Sequence, residues 1–238
     1  MRKIILLFIV LLASCSKIPS GLPMGEYSYQ LIMNGSKLGT AVTSTGIFEN
    51  TYVTNTVMTL EIGDVKNITN QTIRESLNFE PISFESIHSV IVNDNVQEIS
   101  WLANFDGNKI SLKMGDTSIE FESDEPFRLD GNFMLNELIT QRFRKNSAVS
   151  TKIYDPTLEP EDLIPVQVKF VGTKNVLINN RVQRVFHLVQ SIENFMNIDI
   201  YLDSKGIVLQ SVIIMLNNRI ELVIDEGYDK KIQWRQTN

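Results

Sequence analysis

The chain has 238 residues, 43% of them hydrophobic and 21% charged, and a formal net charge of −6. That balance supports a sizeable core and excludes both intrinsic disorder and a basic surface for nucleic acid. One cysteine and two histidines exclude a disulfide framework and any cysteine-based zinc site, and they leave little for triad chemistry.

In chain order, Arg2 and Lys3 precede an uncharged apolar run from Ile4 to Ala13, the length of a secretory-signal core and short for a membrane span. The run ends in Leu12-Ala13-Ser14-Cys15, which resembles the lipobox of bacterial lipoproteins, with small residues at the two positions before an obligatory cysteine. The resemblance implies cleavage between Ser14 and Cys15, and lipid attachment at the Cys15 thiol by acyl chains such as palmitate. Two or three chains anchor a protein for good, because each buried methylene contributes about 0.8 kcal/mol and a single chain holds only marginally. Residues 1–14 therefore read as a signal peptide and residues 15–24, with Pro19, Gly21 and Pro23, as a lipidated tether. Residues 25–238 read as a single β-rich envelope domain. Ser16 stands where some Gram-negative bacteria place Asp to retain lipoproteins at the inner membrane. By that analogy the expected station is the outer membrane, facing the periplasm.

From Tyr27 onward apolar and polar residues alternate with period two, as in Met58, Leu60 and Ile62, Ile119 and Phe121, Val166, Val168 and Phe170, and Ile198, Ile200 and Leu202. Between the runs stand turn formers such as Asn34-Gly35, Gly63-Asp64, Asn93-Asp94, Asp106-Gly107, Gly115-Asp116 and Asn179-Asn180. The pattern predicts a mainly β fold of roughly 12 to 14 strands in an antiparallel meander, too many for a flat sheet. The expected form is a curved antiparallel sheet, an incomplete barrel or clamshell, with one helix packed on it.

Leu135, Leu138, Ile139 and Phe143 lie at helical spacing, and the spacing predicts a helix over Phe133 to Lys145. Asn132 is placed to cap it, with Arg142, Arg144 and Lys145 in its last turn. The apolar stripe reads most simply as core, and as the sharper alternative its four residues are candidates for a lid over a ligand. Asp155 to Pro165, with three prolines, reads as a surface loop. Further on, Val185 and Val189 oppose Phe186 and Leu188, and Val208, Val212, Ile214 and Leu216 oppose Ile207, Leu209, Ile213 and Met215. Strands with apolar residues on both faces must be covered twice.

The order Lys152-Ile-Tyr-Asp-Pro156, Pro165-Val-Gln-Val-Lys-Phe-Val-Gly172, Val176-Leu-Ile, Arg181-Val-Gln-Arg-Val-Phe-His187 and Asp199-Ile-Tyr-Leu-Asp-Ser-Lys-Gly-Ile-Val-Leu209 resembles bacterial envelope β-proteins of unknown function, which occur in the periplasm or beside transglutaminase-like domains. Tyr27 to Gly39 is similar to their opening hairpin. The resemblance spans most of residues 25 to 228 and implies an incomplete barrel with a helix against its concave side, similar to the lipoprotein carriers and receptors that hold acyl chains on such a face. The matching positions are turns and core residues, so no functional residue is carried over.

No catalytic constellation is visible. His88 and His187 sit in strand patterns without a motif, Glu159, Glu161 and Asp162 lack ligand spacing, and no nucleophile elbow or phosphate-cradling glycine loop occurs. Asn67-Ile-Thr and Asn70-Gln-Thr match the glycosylation sequon by accident in a bacterial lipoprotein. The basic runs Arg142 to Lys145 and Lys230 to Arg235 read as solvated ends. No catalytic residue, metal ligand or cofactor is assigned. The expected protein is a non-enzymatic envelope lipoprotein, held to the membrane through Cys15, that binds an apolar molecule or another envelope component and no nucleic acid. The alternative is a scaffolding lipoprotein with a filled core that pairs with a partner protein.

Overall fold

The computed structural model describes residues 19, 21–192, 196–215 and 218–226. The lipobox, Cys15 and the basic run from Lys230 lie outside them. Fourteen strands follow one another: β1 Gly25–Met33, β2 Ser36–Phe48, β3 Thr51–Ile62, β4 Val65–Ser76, β5 Pro81–Val92, β6 Asn95–Asp106, β7 Lys109–Met114, β8 Thr117–Glu122, β9 Ala148–Ile153, β10 Ile164–Ile178, β11 Arg181–Ile192, β12 Met196–Leu202, β13 Val208–Met215 and β14 Asn218–Ile224. The helix α1, Asn132–Thr140, interrupts them between β8 and β9. All fourteen belong to one curved antiparallel sheet in the order β8-β7-β6-β5-β4-β3-β2-β1-β14-β13-β12-β11-β10-β9. The sheet is not closed. First and last strands meet in its middle, Tyr29 opposite Ile224, and its two edges, β8 and β9, are consecutive in the chain.

The hairpins follow from residues that tolerate a left-handed backbone. Asn34 and Gly35 turn at φ 50° and 84°, and Asn179 and Asn180 at 50° and 60°. Glu49 and Asn50 do the same between β2 and β3, without a glycine to mark them in the sequence. At Gly39, beside a bulge in the β1–β2 ladder, a Cβ would stand 2.0 Å from the Thr59 carbonyl oxygen, so only glycine fits.

Ser123 to Gly131 and α1 form a strap across the opening between β8 and β9. Arg128 makes a parallel bridge to Ile153: its N–H donates to the Lys152 carbonyl at 2.9 Å, and its own carbonyl accepts the Tyr154 N–H at 2.8 Å. Phe127 packs edge-on against Phe105 and Tyr154, next to Ile73, Phe84, Ala103 and Leu112. Met134, Leu138 and Ile139 of α1, with Phe143, fill the concave side of β9 to β12 against Val166, Val168, Phe170, Phe186 and Leu188.

The helix is shorter than its apolar spacing predicts. It ends at Thr140, and Arg142, Arg144 and Lys145 lie beyond it rather than in its last turn. The Arg142 N–H donates to the Ile139 carbonyl at 2.8 Å and the Phe143 N–H to the Leu138 carbonyl at 2.9 Å. This is a Schellman ending, with Arg142 in the left-handed position at φ 55° and Phe143 folded back onto Leu138. Asn132 is not the cap. Gly131 is, and the Asn132 side chain points instead to Asp130 and Thr54.

Double coverage of the later strands is present in part, for Ile214 near the end of β13 is 67% exposed. Val185 and Phe186 are both buried, as are Leu209 and Val212. A bulge at Gly172 lets the β10–β11 hairpin run past the end of β12. There Ile178 and Val185 pack with Tyr201, Val212 and Val223, and the Asn179 amide donates to the Ile224 carbonyl at 2.7 Å. Part of the tether is docked too: Pro19 is buried, lying beside Gly206, and Leu22 packs against the core around α1.

Candidate functional site

Residues paired directly across an antiparallel ladder share a face, so the register sorts the whole sheet. The row Thr45, Thr54, Ile73, Phe84, Ala103, Leu112, Ile119 lies under the strap and defines the concave side. The next row is Thr43, Thr56, Gln71, Ser86, Trp101 and Met114. Then come Ala41, Met58, Thr69, His88 and Ile99, followed by Leu60, Asn67, Val90 and Gln97, and by Ile62, Val65 and Val92 at the far end. Across the β1–β14 junction the face continues with Leu31, Leu222, Ser211 and Ile200. Leaving aside the overhanging β10–β11 tip, the described strands place one charged residue on this face, Glu75. Glu61, Lys66, Arg74, Glu85, Glu98, Lys113, Glu120, Lys169, Asp199 and Glu221 all fall on the convex side.

One end of this uncharged face is filled and the other is open. Under the strap Phe84, Ala103 and Leu112 are at most 2% exposed, whereas Ile62, Val92 and Ile99 are 54%, 38% and 50% exposed. Leu31, Met33, Met58, Leu60, Val65, Val90 and Trp101 are half-buried around them. Side-chain hydrogen bonds stitch the wall, Thr43 to Thr56 at 3.2 Å and Thr69 to the His88 Nδ1 at 3.0 Å. The arrangement is an apolar trough with a neutral polar band at its base.

Glu75 is 1% exposed and fixes the strap at that base. Its Oε1 accepts the Leu129 N–H at 3.3 Å, and its Oε2 has no protein partner. Asp130 accepts the Asn132 N–H at 2.7 Å, and the Asn132 amide reaches the Thr54 hydroxyl at 3.1 Å. Burial, reinforced by the nearby Asp130, pushes the Glu75 carboxyl up to about 9 against the pull of the Leu129 N–H and Arg128. Burial raises Asp130 to about 6, opposed by the Asn132 N–H and by the neighbouring Glu75 and Thr54 side chains. Near neutrality the pair holds one proton and one negative charge beside the Arg128 guanidinium, which lies 4.7 Å over the Phe133 ring. Nothing in the sequence pattern separated Glu75 from an ordinary exposed strand glutamate.

The four lid candidates lie on or beside α1. Leu138, Ile139 and Phe143 are buried in the core of the filled half, and Leu135 packs against it half-buried. None of them lines the open trough. His187 pairs with Asp199 at 2.5 Å on the convex side, beside Tyr201, whose hydroxyl accepts from the Lys174 Nζ at 3.2 Å. Among the described residues no three His, Cys, Asp or Glu side chains gather as metal ligands. A separate cleft of about 680 Å3 opens where Glu125 and Pro126 of the strap approach Ser150, Lys152, Gln167 and Ser191. It is lined mainly from the convex side, by Pro126 and Pro165 as well as polar side chains, and is crossed by the Lys152–Glu125 ion pair at 3.1 Å.

No family model matches the chain, and no curated protein matches it. Among solved structures, the chain is similar to a β-barrel-like protein of the domain of unknown function DUF1849 from Brucella abortus, with TM-score 0.62 and 13% identity over 84% of this chain and 94% of that one. A DUF1089 family protein from Pseudomonas aeruginosa aligns at TM-score 0.37 and 8% identity, over 79% and 90% of the two chains. A candidate lipoprotein from Parabacteroides distasonis aligns at 0.32 and 8%, over 87% and 95%. The first of these establishes a shared fold: an open, barrel-like antiparallel sheet of the kind found in a protein of unknown function.

Proposed function

We propose that this protein is a non-enzymatic lipoprotein of the bacterial envelope, anchored through Cys15 to the outer membrane on its periplasmic side, that takes up an apolar molecule in the concave trough. The observation that carries the reading is the sorting of the sheet. On its concave side the described sheet bears a single carboxyl, Glu75, and leaves Ile62, Val92 and Ile99 facing solvent where a filled core would bury them. The fixed strap makes the trough a standing receptacle, and Pro19 and Leu22 dock the segment that follows Cys15 onto the body at the filled end.

The test uses a polarity-sensitive fluorescent dye with the Cys15→Ala chain. Val92→Asp and Ile99→Asp place charge on the open wall at exposed positions, so dye binding falls at least tenfold while urea unfolding is unchanged. Equal dye binding by both variants overturns the trough. For the anchor, Cys15→Ala abolishes palmitate labelling and releases the protein from the membrane fraction, and persistent labelling overturns the assignment. A second reading, a scaffold that adds a strand from a partner, is favoured by β8, which ends the sheet with one edge outside any ladder among the described residues.

A further inference from the structure

Resting on that reading, we propose that the trough is built for an uncharged amphiphile, a monoacyl lipid with a hydroxyl- or ester-bearing head, and that the head enters first. Three observations on the concave face converge. A carboxylate or phosphate entering it loses its water against a wall whose described strands, the β10–β11 tip aside, offer no cation to replace it, which is costly for a charge and modest for a hydroxyl that finds a partner. Thr56, Gln71 and Ser86 then form a neutral hydrogen-bonding band in one register row, where the open trough meets the strap. Within it Ser86 is 1% exposed and its hydroxyl has no protein hydrogen-bond partner, a bond that a hydroxyl-bearing head would supply. Beyond the band, outward, stand Met58, Ile99, Leu60, Val90 and Ile62, the bed for an alkyl chain lying with its head inward. Of the charged groups facing the band from the strap and β4, Glu75 and Asp130 share one proton, and Arg128 balances their remaining charge, its Nη1 donating to the Phe127 carbonyl at 3.0 Å and its guanidinium lying over Phe133.

The experiment compares three ligands with the same oleoyl chain, namely 1-monooleoylglycerol, oleate and oleoyl lysophosphatidylglycerol, titrated against the Cys15→Ala chain at pH 8. The monoglyceride binds at least tenfold more tightly than either anion, and oleate gains affinity as the pH is lowered and its carboxylate is neutralised. Ser86→Ala weakens the monoglyceride at least threefold, leaves the anions unmoved, and raises the urea midpoint of the empty protein, because it removes a buried unpaired hydroxyl. A merely structural serine would not produce that opposition. Anions bound as tightly as the monoglyceride overturn the neutral-head inference and leave the trough standing as an apolar site. Unchanged monoglyceride binding by Ser86→Ala overturns the head-first placement. Binding of none of the three overturns the trough itself.

Discussion

β1 to β8 and β9 to β14 are made from the same hairpins, yet they use the concave side in opposite ways. In the later half, Val166, Val168, Phe170, Phe186 and Leu188 close on α1 and Phe143, and the β10–β11 tip packs with residues of the other face, so side chains on both faces are buried. In the earlier half the strap covers the rows around Ile110 and Phe84 as far as Ser86, and beyond them Ile99, Val92 and Ile62 stay open. One half spends its apolar residues on stability; the other keeps some of them in contact with water. That division lets a single sheet supply both a rigid body and a receptive surface.

The sharpest way to break the contrast is to empty the filled half. Leu138→Ala with Phe143→Ala removes two side chains that are 0% and 5% exposed, and two such losses sum to roughly 5 to 10 kcal/mol, the whole stability of many domains. The variant is expected to be largely unfolded by circular dichroism, whereas a folded variant would make α1 a movable lid.

A smaller effect is expected at the boundary between the halves. Glu75 titrates near 9 in the folded protein against an ordinary value of 4.5, so the native state holds a proton that the unfolded chain has released. Its contribution is therefore complete below about pH 4.5 and is lost as the pH rises toward 9, at up to about 1.4 kcal/mol per pKa unit. Asp130 adds the same slope only between about pH 4 and 6. Urea unfolding at pH 5, 7 and 9 is expected to show the wild type weakening throughout. Glu75→Gln is expected to be flat from 7 to 9, and a wild-type slope in that variant would remove Glu75 as the cause.

The smallest effects refine the picture. Arg142 holds a left-handed backbone at the end of α1, which costs a side-chain-bearing residue about 1 kcal/mol, so Arg142→Gly is expected to raise the urea midpoint slightly. In the open half, Ile62→Ala is expected to change stability by less than about 0.5 kcal/mol, since the side chain is 54% exposed. A loss of several kcal/mol there would mean that the trough is packed in solution.

Strands and turns were legible because period-two alternation and Asn-Gly turns act locally; Met58, Leu60 and Ile62 announce their shared face without help from the rest of the chain. The end of α1 was not, because Arg142 takes the place that a glycine would have marked, and Phe143 continues the helical spacing while standing outside the helix. Glu75 was hidden for a different reason. Its burial comes from Leu129 and Asp130, more than fifty residues away, and its meaning depends on what the strap brings. The trough likewise required the pairing register, which alone shows that the charges of β3 to β6 and β11 to β14 leave the same side.

The meeting of β1 with β14 bears on how the molecule assembles. Every other neighbour in the sheet is also a neighbour in sequence, so each ladder but one closes through a short connection or, across 154–163, a modest loop. Such local pairings form quickly, and two separate meanders can grow without reference to each other. The exception joins Tyr29 to Ile224 across nearly the full chain and cannot form until the last strand is available. Its loop-closure entropy falls on a single zipper, so refolding is expected to be governed by the docking of two finished curls rather than by a search among fourteen strands.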